Sequence, residues 1–195
     1  MKIVYIHGAS ASGSSFNYIR EHLNHNDELV LEYDSRDGFT HNLDKLHTQL
    51  KKYKDMFFVC HSLGGIYAVY LADMLSKKVL GAVTLSTPYG GAEVADYAKY
   101  FFPFNRLIRD VGPHSSPMKK VDTIEIKHPW TQIVTTKGES PWIHVANDGV
   151  VTVSSQQHRN DMEFVDLHTN HYEVVMRPEV VDIIKDKISK YEKSV

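Results

Sequence analysis

The sequence has little of what marks several protein classes. It contains one cysteine, Cys60, in 195 residues, which excludes an intramolecular disulfide framework. No apolar run reaches the roughly 18 residues that a membrane-spanning helix needs. The formal net charge is -2, so no basic excess favours nucleic acid. We therefore expect neither a membrane span nor a nucleic-acid partner, and the 42% hydrophobic content is that of an ordinary globular protein.

The N-terminus also lacks the features of a secretory signal. One basic residue, Lys2, precedes a short apolar run that ends at His7, and this run is too short for a signal-peptide core. The run is typical of a β-strand instead. We expect a cytoplasmic protein, and a leader removed from a precursor stays an open alternative.

Motifs for cofactors and metals are lacking too. No glycine-rich loop has the spacing of a P-loop or of a dinucleotide-binding turn. Two His-x-x-His pairs, at 22–25 and 168–171, could share a metal ion. Neither has a nearby cysteine or a set of carboxylates at ligand spacing. We expect no cofactor and no metal.

Short apolar runs alternate with helical patterns along most of the chain. Strands are predicted at 3–6, 28–33, 56–60, 79–85, 131–135 and 162–167, with helices between them and a last helix lined by Val180, Ile184, Ile188 and Tyr191. A second helix is expected to start near Thr40 or Asn42. This alternation predicts one α/β domain over residues 1–195, with a mostly parallel sheet of about six strands and helices on both faces. Ligands bind such sheets beyond the carboxyl ends of the strands.

Residues 89–120 interrupt this alternation. The segment is rich in aromatic residues and too long for a simple connection. Apolar spacing from Val94 to Phe102 predicts a helix, so the segment is a helical, cap-like excursion. It either forms a wall of an acyl-binding pocket, with Tyr89, Phe101 and Phe102 contacting substrate, or packs against the core. The sequence leaves both interpretations open.

The most informative stretch is centred on Ser62. An apolar strand, 56–60, is followed at once by His-Ser-Leu-Gly-Gly and by an apolar helix up to Leu75. A strand that turns directly into a helix needs small residues two positions either side of the turn, and Cys60 and Gly64 are both small. The pattern is that of a nucleophile elbow, G-x-S-x-G, with Cys60 in place of the first glycine. The alternative is that Ser62 only caps the helix.

A nucleophilic serine needs a general base, and position along the chain selects among the twelve histidines. His171 follows the last predicted strand, at the carboxyl edge of the sheet, and is our candidate base. His168 is the alternative, and His158 is a weaker one. His61 neighbours Ser62, so its side chain should point away from that of Ser62.

The base in turn needs an acid that orients it. Asp148 lies in an Asn-Asp-Gly turn after the penultimate strand, and we predict that it is this acid. Asp161 and Asp166 are the alternatives. Acyl transfer also needs two backbone N–H groups for the developing oxyanion. Position favours the amides of Leu63 and Ala9.

With these residues in place, the chain resembles the α/β-hydrolase superfamily, and in particular its small serine esterases and lipases. The matching stretches are Ile6-His7-Gly8-Ala9, Val59 to Gly65, Leu85 to Gly91, Asn147 to Val151, and Asn170-His171. The resemblance implies a minimal α/β-hydrolase fold without the first antiparallel strands. It also implies a serine hydrolase with Ser62, Asp148 and His171 as its catalytic triad.

The resemblance implies a small-molecule or lipid-like ester as substrate, either a carboxylic ester or a thioester. An acyltransferase that uses the same triad is an alternative, and so is a catalytically silent binding protein on the same scaffold. The oligomeric state is left open.

Overall fold

One parallel sheet forms the centre of the protein. The computed structural model describes residues 1–91, 110, 112, 114–140 and 143–192. Within these ranges, six strands run in the order β2-β1-β3-β4-β5-β6, and every neighbouring pair is parallel. The strands are β1 (Lys2–Ile6), β2 (Glu28–Leu31), β3 (Met56–His61), β4 (Val79–Leu85), β5 (Trp130–Thr135) and β6 (Glu163–Leu167). The predicted parallel sheet is confirmed.

Helices connect the strands. In the part of the chain that the structure describes they are α1 (Asn17–Leu23), α2 (Phe39–Leu50), α3 (Leu63–Leu75), α4 (Ser116–Val121), α5 (Val153–Gln156) and α6 (Pro178–Glu192). A 3₁₀ turn, Gly13–Phe16, leads into α1. The C-terminal helix that the sequence predicts from Val180 to Tyr191 is therefore α6.

Side chains of the central strand alternate between two hydrophobic cores. In β3, Phe58 and Cys60 pack on one face with residues of α2 and α3. Phe57 and Val59 pack on the other face with residues of α1 and α6. Because successive side chains of a strand point to opposite faces, a strand that is buried on both faces is apolar throughout. The predicted coverage by helices on both faces is confirmed.

Two predicted boundaries are wrong by a few residues. Strand β2 ends at Leu31 rather than at residue 33. Tyr33 instead donates its main-chain N–H to His7 Nε2 at 3.4 Å, and its ring stacks on His7 at a centroid distance of 4.3 Å. Helix α2 begins earlier than predicted, at Phe39, because Gly38 adopts a φ of 84° and turns the chain into the helix.

The excursion at 89–120 is described only in part. The helix predicted between 94 and 102, with Phe101 and Phe102, lies outside the described residues, so its role as an acyl-binding wall stays a prediction. Helix α4 begins after Ser115, whose hydroxyl accepts a hydrogen bond from the N–H of Met118 at 3.3 Å. Met118 is buried in the core on the face of the sheet that α3 covers.

None of the helices in the described ranges combines the length and the apolar character that crossing a membrane requires. The cytoplasmic location stays a prediction.

Candidate active site

Ser62 occupies the turn between β3 and α3. Its backbone has φ 52° and ψ -123°, a conformation that side-chain-bearing residues rarely adopt and that costs about 1–3 kcal/mol. The Ser62 N–H donates to the carbonyl of Leu85 at 2.8 Å, and the Ser62 carbonyl accepts from the N–H of Gly65 at 3.0 Å. The neighbouring strand and the helix thus hold the strained turn on both sides, as a nucleophile elbow requires.

The two glycines after the turn let α3 approach the sheet closely. A Cβ on Gly64 would lie 2.0 Å from the carbonyl oxygen of Ile6, and one on Gly65 would lie 2.0 Å from the Thr87 hydroxyl. Both distances are far below van der Waals contact. The helix therefore begins in direct contact with the ends of β1 and β4, and any larger residue would push Ser62 away from its place.

Cys60 occupies the position of the first glycine in the elbow pattern. Its side chain is fully buried in the core beneath α3. Burial raises the pKa of the Cys60 thiol well above its usual value, so the thiol stays protonated. Cys60 is a packing residue here, and its small volume satisfies the requirement of the turn.

Ser62, His171 and Asp148 lie in one hydrogen-bonded row. His171 Nε2 is 3.1 Å from Ser62 Oγ, and His171 Nδ1 is 2.8 Å from Asp148 Oδ2. Because an ionised carboxylate only accepts hydrogen bonds, Nδ1 carries the proton. Nε2 then presents its lone pair to the Ser62 hydroxyl, which donates. This is the geometry that a general base and its nucleophile need.

The alternative residues lie elsewhere. His168 is exposed, and His158 is half-exposed beside a surface carboxylate. Asp161 accepts two hydrogen bonds from the Arg159 guanidinium, at 2.9 and 2.5 Å, and Asp166 is exposed on β6. The structure brings none of these four groups into the hydrogen-bonded row.

The turn around Asp148 presents its carboxylate to backbone amides. Oδ1 accepts from the N–H groups of Val150 and Val151 at 3.0 and 2.7 Å. Asn147 Oδ1 accepts from the N–H of Gly149, which adopts a φ of 98°. This local Asx geometry is what an Asn-Asp-Gly sequence favours.

The other carboxylate oxygen is held by residues from β5 and α5. Oδ2 of Asp148 accepts from the Thr135 hydroxyl at 2.5 Å and lies 3.4 Å from Gln156 Nε2. Since the single proton of Thr135 points to Asp148, the Ser86 hydroxyl donates to Thr135 Oγ1 at 2.8 Å. Burial acts to raise the pKa of Asp148, and hydrogen bonds, that from His171 first, outweigh it and lower the pKa. Asp148 is therefore ionised.

Thr135, Gln156 and Ser86 take part in the hydrogen bonding around Asp148 but are not among the site residues predicted from the sequence. Thr135 and Ser86 could have been predicted from their positions, because they lie at the carboxyl ends of β5 and β4, where ligands bind such sheets. Gln156 lies in a short helix, α5, whose sequence carries no signal of a buried amide.

Leu63 and Ala9 are the predicted donors of backbone N–H groups to an oxyanion. Leu63 is the first residue of α3, so its N–H has no acceptor within the helix. Ala9 follows Gly8, and a Cβ on Gly8 would lie 3.1 Å from the Cβ of Ser62. The next amide, that of Ser10, already donates to the Ser35 hydroxyl at 2.8 Å. Donation by Leu63 and Ala9 to an oxyanion stays a prediction.

The predicted contact between Tyr89 and substrate is wrong. Tyr89 is fully buried, and its hydroxyl hydrogen-bonds to Thr84 Oγ1 and to Trp130 Nε1, each at 2.9 Å. A phenol whose ring and hydroxyl are both enclosed by the core offers no surface to a ligand. Its aromatic character signalled packing, which the sequence could not distinguish from a pocket wall.

No protein-family model matches the chain, and no curated protein sequence does either. Solved structures do match. The mature lipase BlEst2 of Bacillus licheniformis superposes with a TM-score of 0.69 at 17% identity, over 96% of this chain and 91% of that one. The phospholipase PlaB of Legionella pneumophila gives 0.76 at 11% identity, over 95% of this chain but only 58% of that one.

A third similar structure is a hydrolase of the alpha/beta superfamily. An alpha/beta superfamily hydrolase of Oenococcus oeni PSU-1 superposes with a TM-score of 0.66 at 17% identity, over 97% of this chain and 92% of that one. These identities are low, and what the three share with this chain is the arrangement of sheet and helices. This chain therefore has the α/β-hydrolase fold.

Proposed function

We propose that this protein is a serine hydrolase that cleaves carboxylic esters or thioesters through an acyl-enzyme on Ser62. The observation that carries the proposal is the row Ser62–His171–Asp148, with separations of 3.1 and 2.8 Å between its polar atoms. The strained backbone at Ser62 supports it independently, because a helix cap has no need of a φ of 52°.

In the acylation half of the reaction, Ser62 Oγ attacks the carbonyl carbon of the substrate while His171 Nε2 takes the hydroxyl proton. The electron pair of the carbonyl moves to its oxygen, and the tetrahedral intermediate is anionic. Asp148 stabilises the imidazolium that forms on His171 and keeps the proton on Nδ1. When the intermediate collapses, the bond to the leaving oxygen or sulfur breaks, and His171 returns the proton to that atom.

Water then removes the acyl group. His171 Nε2 takes a proton from the water as its oxygen attacks the acyl carbon, and a second tetrahedral anion forms. The N–H groups of Leu63 and Ala9 are the proposed donors to the anion in both halves. Breakdown of this intermediate releases the carboxylic acid, and His171 restores the proton to Ser62 Oγ.

An ester substrate is supported by two of the similar structures, which are a lipase and a phospholipase. The Ser62 turn and the buried Asp148 carboxylate are suited to acyl transfer in general.

The test uses a fluorophosphonate, which phosphonylates an activated serine, together with hydrolysis of a short p-nitrophenyl ester. We expect one covalent adduct per chain, located on Ser62 by peptide mass mapping. Ser62→Ala should lose the adduct and reduce kcat by roughly three or more orders of magnitude while its circular dichroism stays unchanged. Ser189→Ala, a serine of α6 far along the chain from the elbow, is the matched control and should react as the parent does.

An adduct on a different serine, or a folded Ser62→Ala variant with near-full turnover, contradicts the proposal. A folded parent protein that neither reacts with the probe nor hydrolyses any ester of a short-to-long acyl series would support a silent binding protein instead. Product analysis with an added alcohol acceptor separates hydrolysis from acyl transfer.

A further inference from the structure

His61, the last residue of β3, hydrogen-bonds directly to the loop that carries His171. Its imidazole is buried, with 6% of the residue exposed, and its Nε2 lies 2.8 Å from the main-chain oxygen of His171. A carbonyl oxygen only accepts, so Nε2 carries the proton and donates it. The two imidazole rings are tilted by 51° relative to each other, and their centroids are 4.9 Å apart.

The hydrogen bond from His61 joins two parts of the chain that lie on strands far apart in the sheet. Strand β3 is central and β6 is an edge strand, with β4 and β5 between them. At about 4.8 Å per strand, the His171 loop starts about 14 Å from the strand that carries Ser62. The row of Ser62, His171 and Asp148 therefore depends on contacts that hold this loop over the elbow.

Both main-chain polar groups of His171 are engaged. Its N–H donates to the carbonyl of Asp148 at 3.0 Å, and its carbonyl accepts from His61. The hydrogen bond to the Asp148 carbonyl holds the His171 loop against the turn that contains Asp148. The His61 contact fixes it to the strand that ends at the nucleophile, and it does so from the residue adjacent to Ser62.

The second nitrogen of His61 lies toward the proposed oxyanion loop. A Cβ on Gly8 would come 3.1 Å from His61 Nδ1, and among the described residues this buried atom has no hydrogen-bond partner. The ring is therefore enclosed between the His171 loop and the loop that carries Ala9. A buried nitrogen without a partner costs free energy, which an apolar side chain of the same size would avoid.

We propose that His61 is a positioning residue, whose hydrogen bond to the His171 carbonyl holds the base within reach of the Ser62 hydroxyl. This inference rests on the proposed function of the Ser62–His171–Asp148 row. A strand-end residue that acted by packing alone could be replaced by any side chain of similar volume. The donated hydrogen bond is what distinguishes the two roles.

The test compares three variants. His61→Phe keeps a planar ring and removes the donor. His61→Gln keeps an N–H donor on a side chain of similar reach. His168→Phe, on the same loop as His171 but exposed, is the matched control. We expect His61→Phe to reduce kcat about 10- to 100-fold with KM within about twofold, because misplacing a base by 1 Å can cost about 10²-fold. His61→Gln should recover most of this loss, and His168→Phe should behave as the parent.

A second readout does not depend on turnover. The proton between His171 Nδ1 and Asp148 gives a far-downfield ¹H NMR signal when it is shielded from exchange with water. We expect His61→Phe to broaden or lose this signal, and His61→Gln and His168→Phe to keep it. If the parent protein proves inactive, the proposed function fails while this signal still tests the positioning by His61.

Two results would overturn the inference. One is a folded His61→Phe protein with parental kcat and an unchanged downfield signal. The other is His61→Gln as defective as His61→Phe, which would mean that shape matters and the hydrogen bond does not. If His61→Phe fails to fold, His61→Met replaces it, since methionine is flexible enough to fill the same space without a donor.

Discussion

Replacing Asp148 with asparagine tests whether the hydrogen bond that Oδ2 accepts from His171 sets the tautomer of the imidazole. Oδ1 accepts two backbone N–H groups, so an asparagine must place its oxygen there. Its NH₂ then occupies the position of Oδ2. In the parent protein, three donors converge on that atom, from Thr135, His171 and Gln156.

An NH₂ group in that position can donate to His171 but cannot accept from it. His171 must then carry its proton on Nε2 and turn a lone pair toward residue 148. Nε2 would face the Ser62 hydroxyl with a hydrogen already attached, so it could not take the serine proton. Wrong tautomers of this kind lower kcat by about 10⁴-fold, and we expect a loss of that order for Asp148→Asn. The flipped amide is no better, because its NH₂ would face the two backbone donors.

The assay is steady-state hydrolysis of a p-nitrophenyl ester, with thermal unfolding measured in parallel. The Thr135 hydroxyl can rotate to Gln156 Oε1, 3.2 Å away, so we expect the protein to fold. The Gln156 N–H that faces Asp148 Oδ2 loses its acceptor, and we expect the free energy of unfolding to fall by about 1–3 kcal/mol, the cost of a buried group left unsatisfied. Asp166→Asn, an exposed aspartate of β6, is the matched control and should keep parental kcat. A folded Asp148→Asn variant within tenfold of parental kcat would refute the tautomer argument.

Three further predictions address the elbow, the base and the response to acid. Gly64→Ala should lose both activity and stability, because its Cβ would lie 2.0 Å from the Ile6 carbonyl, and a melting temperature equal to that of the parent would contradict this close approach. His171→Ala should reduce kcat by about 10³-fold or more, and His168→Ala should stay within a few-fold of the parent; the reverse result in the same ester assay would show that the base is the other histidine. Burial, with a smaller repulsion from His171, lowers the pKa of His61 from 6.5 to about 3, so the unfolded chain takes up a proton there before the folded one does. The contribution of His61 to the free energy of unfolding should therefore be greatest above pH 6.5 and fall toward pH 3, by up to about 1.4 kcal/mol per pH unit. Urea unfolding at a series of pH values should show a smaller fall of this free energy with pH for His61→Gln than for the parent protein.

The sequence alone determined the order of strands and helices and the place of the elbow. Periodicity and turn residues are local properties, so the strand 56–60, the turn at Ser62 and the helix after it could be predicted from adjacent residues. Asp148 and His171 could be predicted as candidates because each follows a strand, and the carboxyl ends of parallel strands share one edge of the sheet. The parallel sheet itself followed from the same alternation.

Only the tertiary structure decided which side chains meet. Thr135 and Gln156 reach Asp148 from 13 and 8 residues away, and His61 reaches the His171 carbonyl across 110 residues. Such contacts depend on strand register and on side-chain direction, which no local pattern encodes. Tyr89 is another residue whose surroundings the sequence did not determine. An aromatic residue near the carboxyl edge of the sheet is equally compatible with a pocket wall and with the core. Its two buried hydrogen-bond partners, Thr84 and Trp130, come from β4 and β5, and the pairing of those strands places it in the core.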